Sequence, residues 1–338
     1  MTIIIAILLF GVIIFIHELG HFSFAKLSGV TVHEFSIGMG PKIFSKTKNG
    51  TSYSLRAFPI GGFVSMEGED EESNDPNSFG KKTLLQRLSV IFAGPIFNII
   101  LAVVIMIPVF MILGIPTNDP IIGEVNKDMP AYTSGLESGD KIIKIDKIKV
   151  NNWEEIVEMV RSSEGHKLEI TVERNNKIQN FEVTPIDNQG VYQIGMTQHR
   201  VRSLSKSITS SVAVTYDLSK QMLIFVKQLF TGTVPGGVGN SVAGPVGVIG
   251  MVSDAAKSGL ANLLYYASII SLNLGIVNLV PFPALDGWRI LMLIVEGVRG
   301  GKKFDANKEG MVNLIGLAVL MVFMIFITYK DILRLFTN

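Results

Sequence analysis

The chain lacks cysteine altogether, across 338 residues. This absence excludes a disulfide-stabilised scaffold and removes thiolates from the possible ligands of a metal site. Charge is also scarce, because Asp, Glu, Lys and Arg make up 17% of the residues, against about a quarter in soluble proteins. With a mean hydropathy of +0.40, this composition predicts an integral membrane protein. The net charge of +1 is nearly balanced and does not indicate nucleic acid as a partner.

Long apolar stretches occupy much of the sequence instead. A helix needs about 20 apolar residues to cross a bilayer. Four stretches meet that length, at 3–24, about 88–113, about 260–280 and about 311–329. The first has no Lys or Arg ahead of His17, so it lacks the basic start of a secretory signal peptide. We therefore expect it to be retained as a membrane span.

The loop between the first two spans is unusually apolar. Its segment TSYSLRAFPIGGFVSM (51–66) alternates in polarity and contains aromatic residues, Gly and Pro, which predicts a β-hairpin. We expect this β-loop either to pack on the membrane face of the protein or to enter the bilayer. The acidic run that follows, at 67–75, predicts a solvated link.

After about residue 120 the composition becomes that of a soluble domain. Four strand-like runs surround the helix-like run WEEIVEMVRSS, for which Asn152 is the predicted N-cap and Glu155 the third residue after it. The run DMPAYTSGLESGDKIIKID resembles the signature of bacterial PDZ domains, which bind extended peptides at a sheet edge. The alternative is a small α+β module without a peptide ligand.

Four domains are expected from these changes in composition. The segment at 204–230 has an amphipathic pattern that predicts either a helix on the membrane surface or two short helices against the bundle. The domains are an N-terminal membrane half (1–118), a PDZ-like domain (119–187), an amphipathic and linker region (188–258) and a C-terminal membrane half (259–338).

Lys and Arg are unevenly distributed among the loops. They are frequent after the first and third spans, and none precedes the first span. Because cytoplasmic loops carry the excess of basic residues, both of these loops are predicted to be cytoplasmic. The PDZ-like domain and both termini then lie outside the cell.

The first span contains the sequence HELGH, with His17, Glu18 and His21. Ionisable groups at membrane depth are unfavourable unless they are paired or bound. Residues four apart lie on one face of a helix, so both histidines can reach one cation, and HExxH typically supplies two zinc ligands and a general base. The alternative is a pair of histidines whose hydrogen bonds are satisfied by neighbours in the bundle. The other histidines, His33, His166 and His199, are expected to be incidental.

A third ligand is expected in NLVPFPALDGWRI, after the third span. Pro281 and Pro283 end the helix there, and Asp286 follows them on the same side of the membrane as HELGH. Catalytic zinc sites usually have three protein ligands and one open position. The alternative is that Asp286 is a turn residue or a helix cap.

The order of these motifs resembles that of the site-2 protease family, and within it the bacterial RseP-type zinc metalloproteases with a single PDZ domain. HELGH lies in the first span, AGPIFN (93–98) opens the second, the PDZ-like segment follows, and NLVPFPALDG (278–287) precedes the last span. The resemblance implies that His17, His21 and Asp286 bind zinc and that Glu18 is the general base.

The resemblance also implies roles for residues near the metal. The substrate-binding residues would be Asn278, Gly62, Phe63 and Val64, and the structural residues near the site would be Gly94, Pro95 and Asn98. The family commonly has LDGG, whereas Trp288 follows the LDG of this chain. Asp286 is intact, so the departure leaves open only the local backbone geometry and the fit of substrate at that point.

The expected fold is a multi-pass α-helical membrane protein with about four transmembrane helices, an inserted α+β PDZ-like domain and a membrane-associated β-loop. The expected function is that of an intramembrane zinc metalloprotease, with one Zn²⁺ per chain, which cleaves transmembrane segments. Its expected partners are the lipid bilayer and single-span substrates such as anti-sigma factors or signal-peptide remnants. It is expected in the cell membrane, with the active site toward the cytoplasm.

Two other functions are compatible with parts of the pattern. A membrane metal transporter or sensor would also place His and Asp in a helical bundle, but it has no need of Glu18 beside the ligands. A catalytically inactive PDZ scaffold would have little reason to keep HELGH and Asp286 together.

Overall fold

The computed structural model of the chain describes residues 2–69, 71, 73–235, 237, 241–302 and 304–337. The chain divides into two compact units, one formed by 110–207 and the other by the segments on either side of it. The second unit is therefore an insertion within the first.

Helices dominate the flanking segments, and strands dominate the inserted unit. The elements before residue 114 are α1 (Thr2–Leu27), β1 (Val32–Lys48), β2 (Thr51–Met66), a 3-10 helix (Phe79–Lys81) and α2 (Leu84–Leu113). Between 115 and 201 they are β3 (Ile115–Pro116), β4 (Ile122–Val125), α3 (Pro130–Thr133), β5 (Lys141–Ile145), β6 (Ile148–Lys149), α4 (Trp153–Ser162), β7 (Leu168–Arg174), β8 (Lys177–Val183), β9 (Ile186–Asn188), β10 (Val191–Gln193), β11 (Met196–Gln198) and β12 (Arg200–Val201). The helices that follow are α5 (Leu204–Thr231), α6 (Pro245–Lys257), α7 (Leu260–Asn278), α8 (Asp286–Val298) and α9 (Ala306–Thr337).

Four of the described helices are long and apolar enough to cross a membrane. The spans are 4–27, 84–113, 260–278 and 308–334, which lie in α1, α2, α7 and α9. The four predicted apolar helices are thus confirmed. At 30 residues α2 is about 45 Å long, which exceeds the roughly 30 Å of a hydrocarbon core. It therefore extends beyond the core or crosses it at a tilt.

A β-hairpin is present in the predicted loop, but the segment 51–66 forms only its second strand, β2, which pairs with β1 at 32–48. Phe35 lies opposite Val64, and both are buried in a cluster with Ala25 of α1 and Val90 of α2. This apolar cluster anchors the base of the hairpin to the two helices. The same cluster includes Leu293, so α8 packs beside α1 and α2.

The segment at 204–230 forms one continuous helix of 28 residues, α5, rather than two short ones. No Gly or Pro interrupts it, so its backbone hydrogen bonds continue from end to end. Leu218 and Met222 pack against Ala102 of α2 and Leu272 of α7.

The inserted unit is an α+β domain. Its main sheet has four antiparallel strands in the order β6-β5-β7-β8, and β11 pairs separately with β4. Helix α4 buries Trp153 and Ile156 against strand residues such as Ile142 and Ile170. The predicted cap of α4 is confirmed, because the Asn152 side chain accepts a hydrogen bond from the Glu155 backbone N–H at 3.0 Å. These elements fit a PDZ-like domain.

Candidate metal centre

Helix α1 places His17 and His21 one turn apart on a single face. Their Nε2 atoms lie 3.2 Å from each other, and each residue is 7% exposed. The i, i+4 spacing of the motif therefore gives the predicted convergence of two imidazole rings.

Asp286 approaches the same point from a distant part of the sequence. It is the first residue of α8, and its Oδ2 atom lies 3.2 Å from His17 Nε2 and 3.3 Å from His21 Nε2. The three ligand atoms lie within 4.8 Å of one another, and no other such group of His, Asp and Glu occurs among the described residues. Burial raises the pKa of Asp286, but the facing His21 and His17 rings lower it by more. The net shift is downward and favours the ionised carboxylate.

These three side chains fit a zinc ion. Asp286 Oδ2 is buried and makes no hydrogen bond within the described structure, although both imidazole nitrogens are close to it. When both imidazoles are neutral, as metal ligands must be, three lone-pair atoms face one another and repel unless a cation lies between them. Two imidazole nitrogens and one carboxylate oxygen are ligands that zinc prefers, and this set leaves one coordination position for water or substrate.

Helix α2 supplies the partners on the far side of both imidazole rings. His21 Nδ1 donates a hydrogen bond to the backbone carbonyl of Val90 at 2.9 Å, which leaves the Nε2 lone pair free for the metal. His17 Nδ1 lies 3.2 Å from the side-chain amide of Asn98, a fully buried residue. The closest atom of that amide is Nδ2, and Asn98 Oδ1 has no hydrogen-bond partner among the described residues. Exchanging the amide oxygen and nitrogen would let Oδ1 accept the proton of His17 Nδ1, which is the tautomer that leaves Nε2 unprotonated.

Gly94 lies directly beneath the His21 ring. A Cβ atom at this position would be 2.2 Å from His21 Nε2, far inside van der Waals contact. Pro95 follows within the helix, and its carbonyl lies close to Gly275 of α7. The structure therefore brings Gly94, Pro95 and Asn98 to the site and its surroundings.

Glu18 lies between the two histidines in sequence and is half-buried. Its Cγ atom would be 3.0 Å from a Cβ at Gly62, so β2 passes directly beside it. Phe63 packs its ring under the Arg56 guanidinium at 4.9 Å, and Val64 points into the apolar cluster. Gly62 is thus the strand residue that lies beside Glu18.

Asn278 is the last residue of α7, and its Nδ2 atom is 3.4 Å from His17 Nε2. The helix ends there because Pro281 and Pro283 follow, as predicted. The side-chain amide thus reaches the edge of the metal centre.

Other carboxylates of the hairpin region are already paired. Glu34 contacts Arg56, Lys42 and Ser54. Burial raises the Glu34 pKa, but hydrogen bonds from Ser54, Lys42 and Arg56 outweigh it and hold the pKa at about 2. Glu34 is therefore occupied in holding the two strands together.

Some contacts of the site are absent from the sequence prediction. The carbonyl of Val90 has no residue signature, because any amino acid supplies it. Arg87 and Glu296 form an ion pair between α2 and α8, and they are 209 residues apart. Arg289 on α8 pairs with Glu69 in the acidic run. In the sequence, the indication of such a contact is the charge of Arg87 at the start of an apolar span, because a charge there needs a partner.

The fold and the site define a membrane protein in which an HExxH motif within an apolar helix meets an aspartate from a distant part of the sequence. The model of peptidase family M50 matches residues 5–323 of the chain. The zinc metalloprotease RasP of Geobacillus kaustophilus is 34% identical, with 98% of this chain and 97% of the relative covered. The regulator of sigma-W protease RasP of Bacillus subtilis is 33% identical, with 99% of each covered. A protein of Clostridium acetobutylicum is 38% identical, with 98% of this chain and 97% of the relative covered.

The chain belongs to peptidase family M50, the site-2 protease family. It is an intramembrane zinc metalloprotease, and its cofactor is Zn²⁺. The transporter, sensor and scaffold alternatives are not favoured by this membership.

One solved structure is similar in sequence to part of the chain. The PDZ domain of an SdrC-like protein from Listeria monocytogenes is 25% identical and covers 25% of this chain and 90% of its own, at a TM-score of 0.22. A score this low does not decide the fold, so the PDZ-like description rests on the strands and helices of the unit itself.

Proposed function

We propose that His17, His21 and Asp286 hold the single zinc ion of this protease and that Glu18 is its general base. The observation that carries the assignment is the convergence of His17 Nε2, His21 Nε2 and Asp286 Oδ2, with the carboxylate oxygen left without a hydrogen bond. When bound, zinc supplies a Lewis acid that polarises a carbonyl and lowers the pKa of water from 15.7 to about 7.

Side chains and a backbone carbonyl of the protein then transfer the proton and orient the imidazole rings. Glu18 accepts the proton of the attacking water and returns it to the leaving amine nitrogen as the peptide bond breaks. The Val90 carbonyl and the Asn98 amide keep each imidazole turned with Nε2 toward the site. Glu18 is not one of the converging atoms, so its carboxylate remains available for proton transfer.

Substrate is held by β2 and Asn278. A helical substrate hides its carbonyls in its own hydrogen bonds and must unwind before cleavage. Backbone groups at Gly62–Val64, next to Glu18, pair with the unwound segment as an added strand. The Asn278 amide, at the rim of the centre, donates to a substrate carbonyl.

The outer part of the β-hairpin associates with the membrane. Large apolar side chains there are exposed, including Ile43, Phe44 and Phe58, each at 60% or more. Lys42 and Lys46 lie beside them, a mixture of apolar and basic groups that suits a bilayer interface. With the loop basic residues on the inner side, the catalytic centre faces the cytoplasm of the cell membrane, and the inserted unit lies outside.

The inserted unit selects substrates in this proposal. A cavity of about 750 Å³ lies between α4 and β11, lined by Trp153, Val157, Arg161 and Gln198 among others. An extended peptide can lie in such a groove, so the unit either reads a newly made end or excludes bulky outer domains.

The substrates are single-span membrane proteins, of which anti-sigma factors and signal-peptide remnants are the two expected kinds. The name of the Bacillus subtilis relative, regulator of sigma-W protease, supports the first kind. Both kinds present one apolar helix with little structure on the outer side after trimming.

The decisive experiment compares the wild-type protein with Glu18→Gln, purified and reconstituted with a model single-span substrate. Zinc content measures ligation, and product formation measures catalysis. We expect about one zinc per chain in both proteins, with proteolysis in the wild type alone. Loss of zinc from the Glu18→Gln protein would contradict the assignment of Glu18 as base rather than ligand.

A further inference from the structure

A buried ion pair joins α2 to α8. Arg87 Nη1 donates to Glu296 Oε2 at 2.9 Å, and Nη2 donates to Oε1 at 2.6 Å. Arg87 is 8% exposed and Glu296 is 7% exposed. The two parallel hydrogen bonds fix both the distance and the orientation of the two groups, which a single contact would not do.

Each of the two residues shares a helix with a proposed ligand or with the hydrogen-bond partner of one. Glu296 is ten residues after Asp286 on α8, about 15 Å along the helix axis. Arg87 is three residues before Val90, whose carbonyl holds His21. A helix transmits a displacement along its axis almost without loss, so a shift at Glu296 also moves Asp286.

Packing alone does not hold α8 in place along its whole surface. A cavity of about 680 Å³ borders the helix and is lined by Arg87, Arg289, Glu296 and Phe304 among others. Side chains that face a cavity lack part of the close packing that fixes helices elsewhere. On this side of α8, directional contacts are the means left to set its position.

We propose that Arg87 and Glu296 are positioning residues for the metal centre. Their bidentate pair sets the axial position of α8 against α2, and thereby the distance of Asp286 from His17 and His21. The pair touches neither metal nor substrate. This inference rests on the proposed ligand roles of these three residues.

Two replacements of the pair distinguish a positioning role from a purely stabilising one. Arg87→Lys keeps the charge but loses the planar fork, so it cannot make both hydrogen bonds. A paired apolar variant, Arg87→Met with Glu296→Leu, removes both charges without leaving one buried alone, and such replacements generally preserve stability. If position is what matters, neither variant restores the geometry of the ligands.

The test uses the full-length protein in detergent, loaded with Co²⁺ in place of Zn²⁺. The absorption spectrum of Co²⁺ reports ligand geometry, chelator competition reports zinc affinity, and a short, pre-trimmed substrate gives kcat and KM. Thermal unfolding is measured for each variant. The control is Arg174→Lys, which loses a comparable fork to the buried Asp140 in the inserted unit.

We expect Arg87→Lys to change the Co²⁺ spectrum and to weaken zinc binding about 10- to 100-fold, as changes behind metal ligands do. Its kcat should fall by up to about a hundredfold, the effect of about 1 Å of misplacement, with KM changed less than about twofold. The apolar pair should unfold like the wild type and keep these defects, and Arg174→Lys should show none of them.

Two results would overturn the proposal. One is a wild-type spectrum, affinity and kcat in Arg87→Lys, and the other is recovery of all three in the apolar pair. If Arg87→Lys fails to fold, the apolar pair alone decides between these outcomes, and Glu296→Gln replaces both if that pair also fails. Failure of the proposed ligand roles would look different, because the wild-type Co²⁺ spectrum would then survive Asp286→Asn.

Discussion

The close contact between Gly94 and His21 predicts the effect of adding a single methyl group, by the substitution Gly94→Ala. Gly94 has helical backbone conformation within α2, so Ala is compatible with its backbone, and Gly→Ala in a helix ordinarily stabilises by roughly 0.5–1 kcal/mol. At this site, however, the new Cβ would lie 2.2 Å from His21 Nε2, 2.5 Å from Cε1 and 2.8 Å from Cδ2. Ordinary contact begins at 3.4 Å, so the ring must move by about 1.2 Å.

That movement should disable the site with little effect on the rest of the fold. His21 would lose the alignment of its Nε2 atom with His17 and Asp286, and the hydrogen bond of Nδ1 to Val90 would be strained. We expect Gly94→Ala to lower zinc affinity and to reduce kcat by about a hundredfold or more, the scale set by a misplacement of about 1 Å. Chelator competition and cleavage of a model membrane-span substrate measure the two effects.

The matched control is Gly11→Ala, one helix away on α1. A Cβ at Gly11 would meet nothing within 4 Å, so this change should leave zinc binding and cleavage as they are. Its unfolding temperature should stay the same or rise. Wild-type zinc affinity and activity in Gly94→Ala would refute the reasoning, because the His21 ring would then have room that the structure does not show.

Three further predictions concern the third ligand, the topology and the inserted unit. Asp286→Asn should weaken zinc binding and abolish cleavage, and full activity in that variant would reduce Asp286 to a cap of α8. The chain has no cysteine, so single cysteines introduced at Glu71 and Lys147 should label only from the cytoplasm and only from outside, respectively; the opposite pattern would invert the proposed orientation. Replacing 121–185 by a flexible bridge should preserve cleavage of a short substrate and permit some cleavage of one with a bulky outer domain. Complete loss of cleavage with an intact membrane unit would count against the selection role.

The proximity of the site side chains follows from features that the sequence shows. His17 and His21 lie together because residues four apart share one face of a helix. Asp286 lies near them because two prolines end α7 and leave a short path to the depth of HELGH. The hairpin followed from its alternating pattern, and the cap of α4 from Asn152 and Glu155.

The errors and omissions also have physical causes. For 204–230, the amphipathic pattern left two short helices open, whereas the lack of Gly and Pro indicates the single helix α5. The pairing of Arg87 with Glu296 links positions 209 residues apart, and no local rule identifies such partners. Arg87 lies directly ahead of an apolar span, a position where a charge calls for a partner, but the sequence does not say which residue that partner is.

Helix α2 contacts both histidines proposed as metal ligands, and it also contacts the helix that carries the third proposed ligand, Asp286. Its Val90 carbonyl orients His21, its Asn98 amide faces His17, and its Arg87 guanidinium holds the helix that begins with Asp286. The Val90 contact uses a backbone carbonyl, which any residue supplies, and the Arg87 contact uses a side chain that belongs to no catalytic motif. The HExxH motif therefore supplies two of the three proposed ligands, while the arrangement of all three depends on a second helix that is not part of the motif. A substitution on α2 should accordingly act on zinc geometry more often than its distance from HELGH in sequence suggests, and Gly94→Ala and Arg87→Lys test this from opposite sides of Val90.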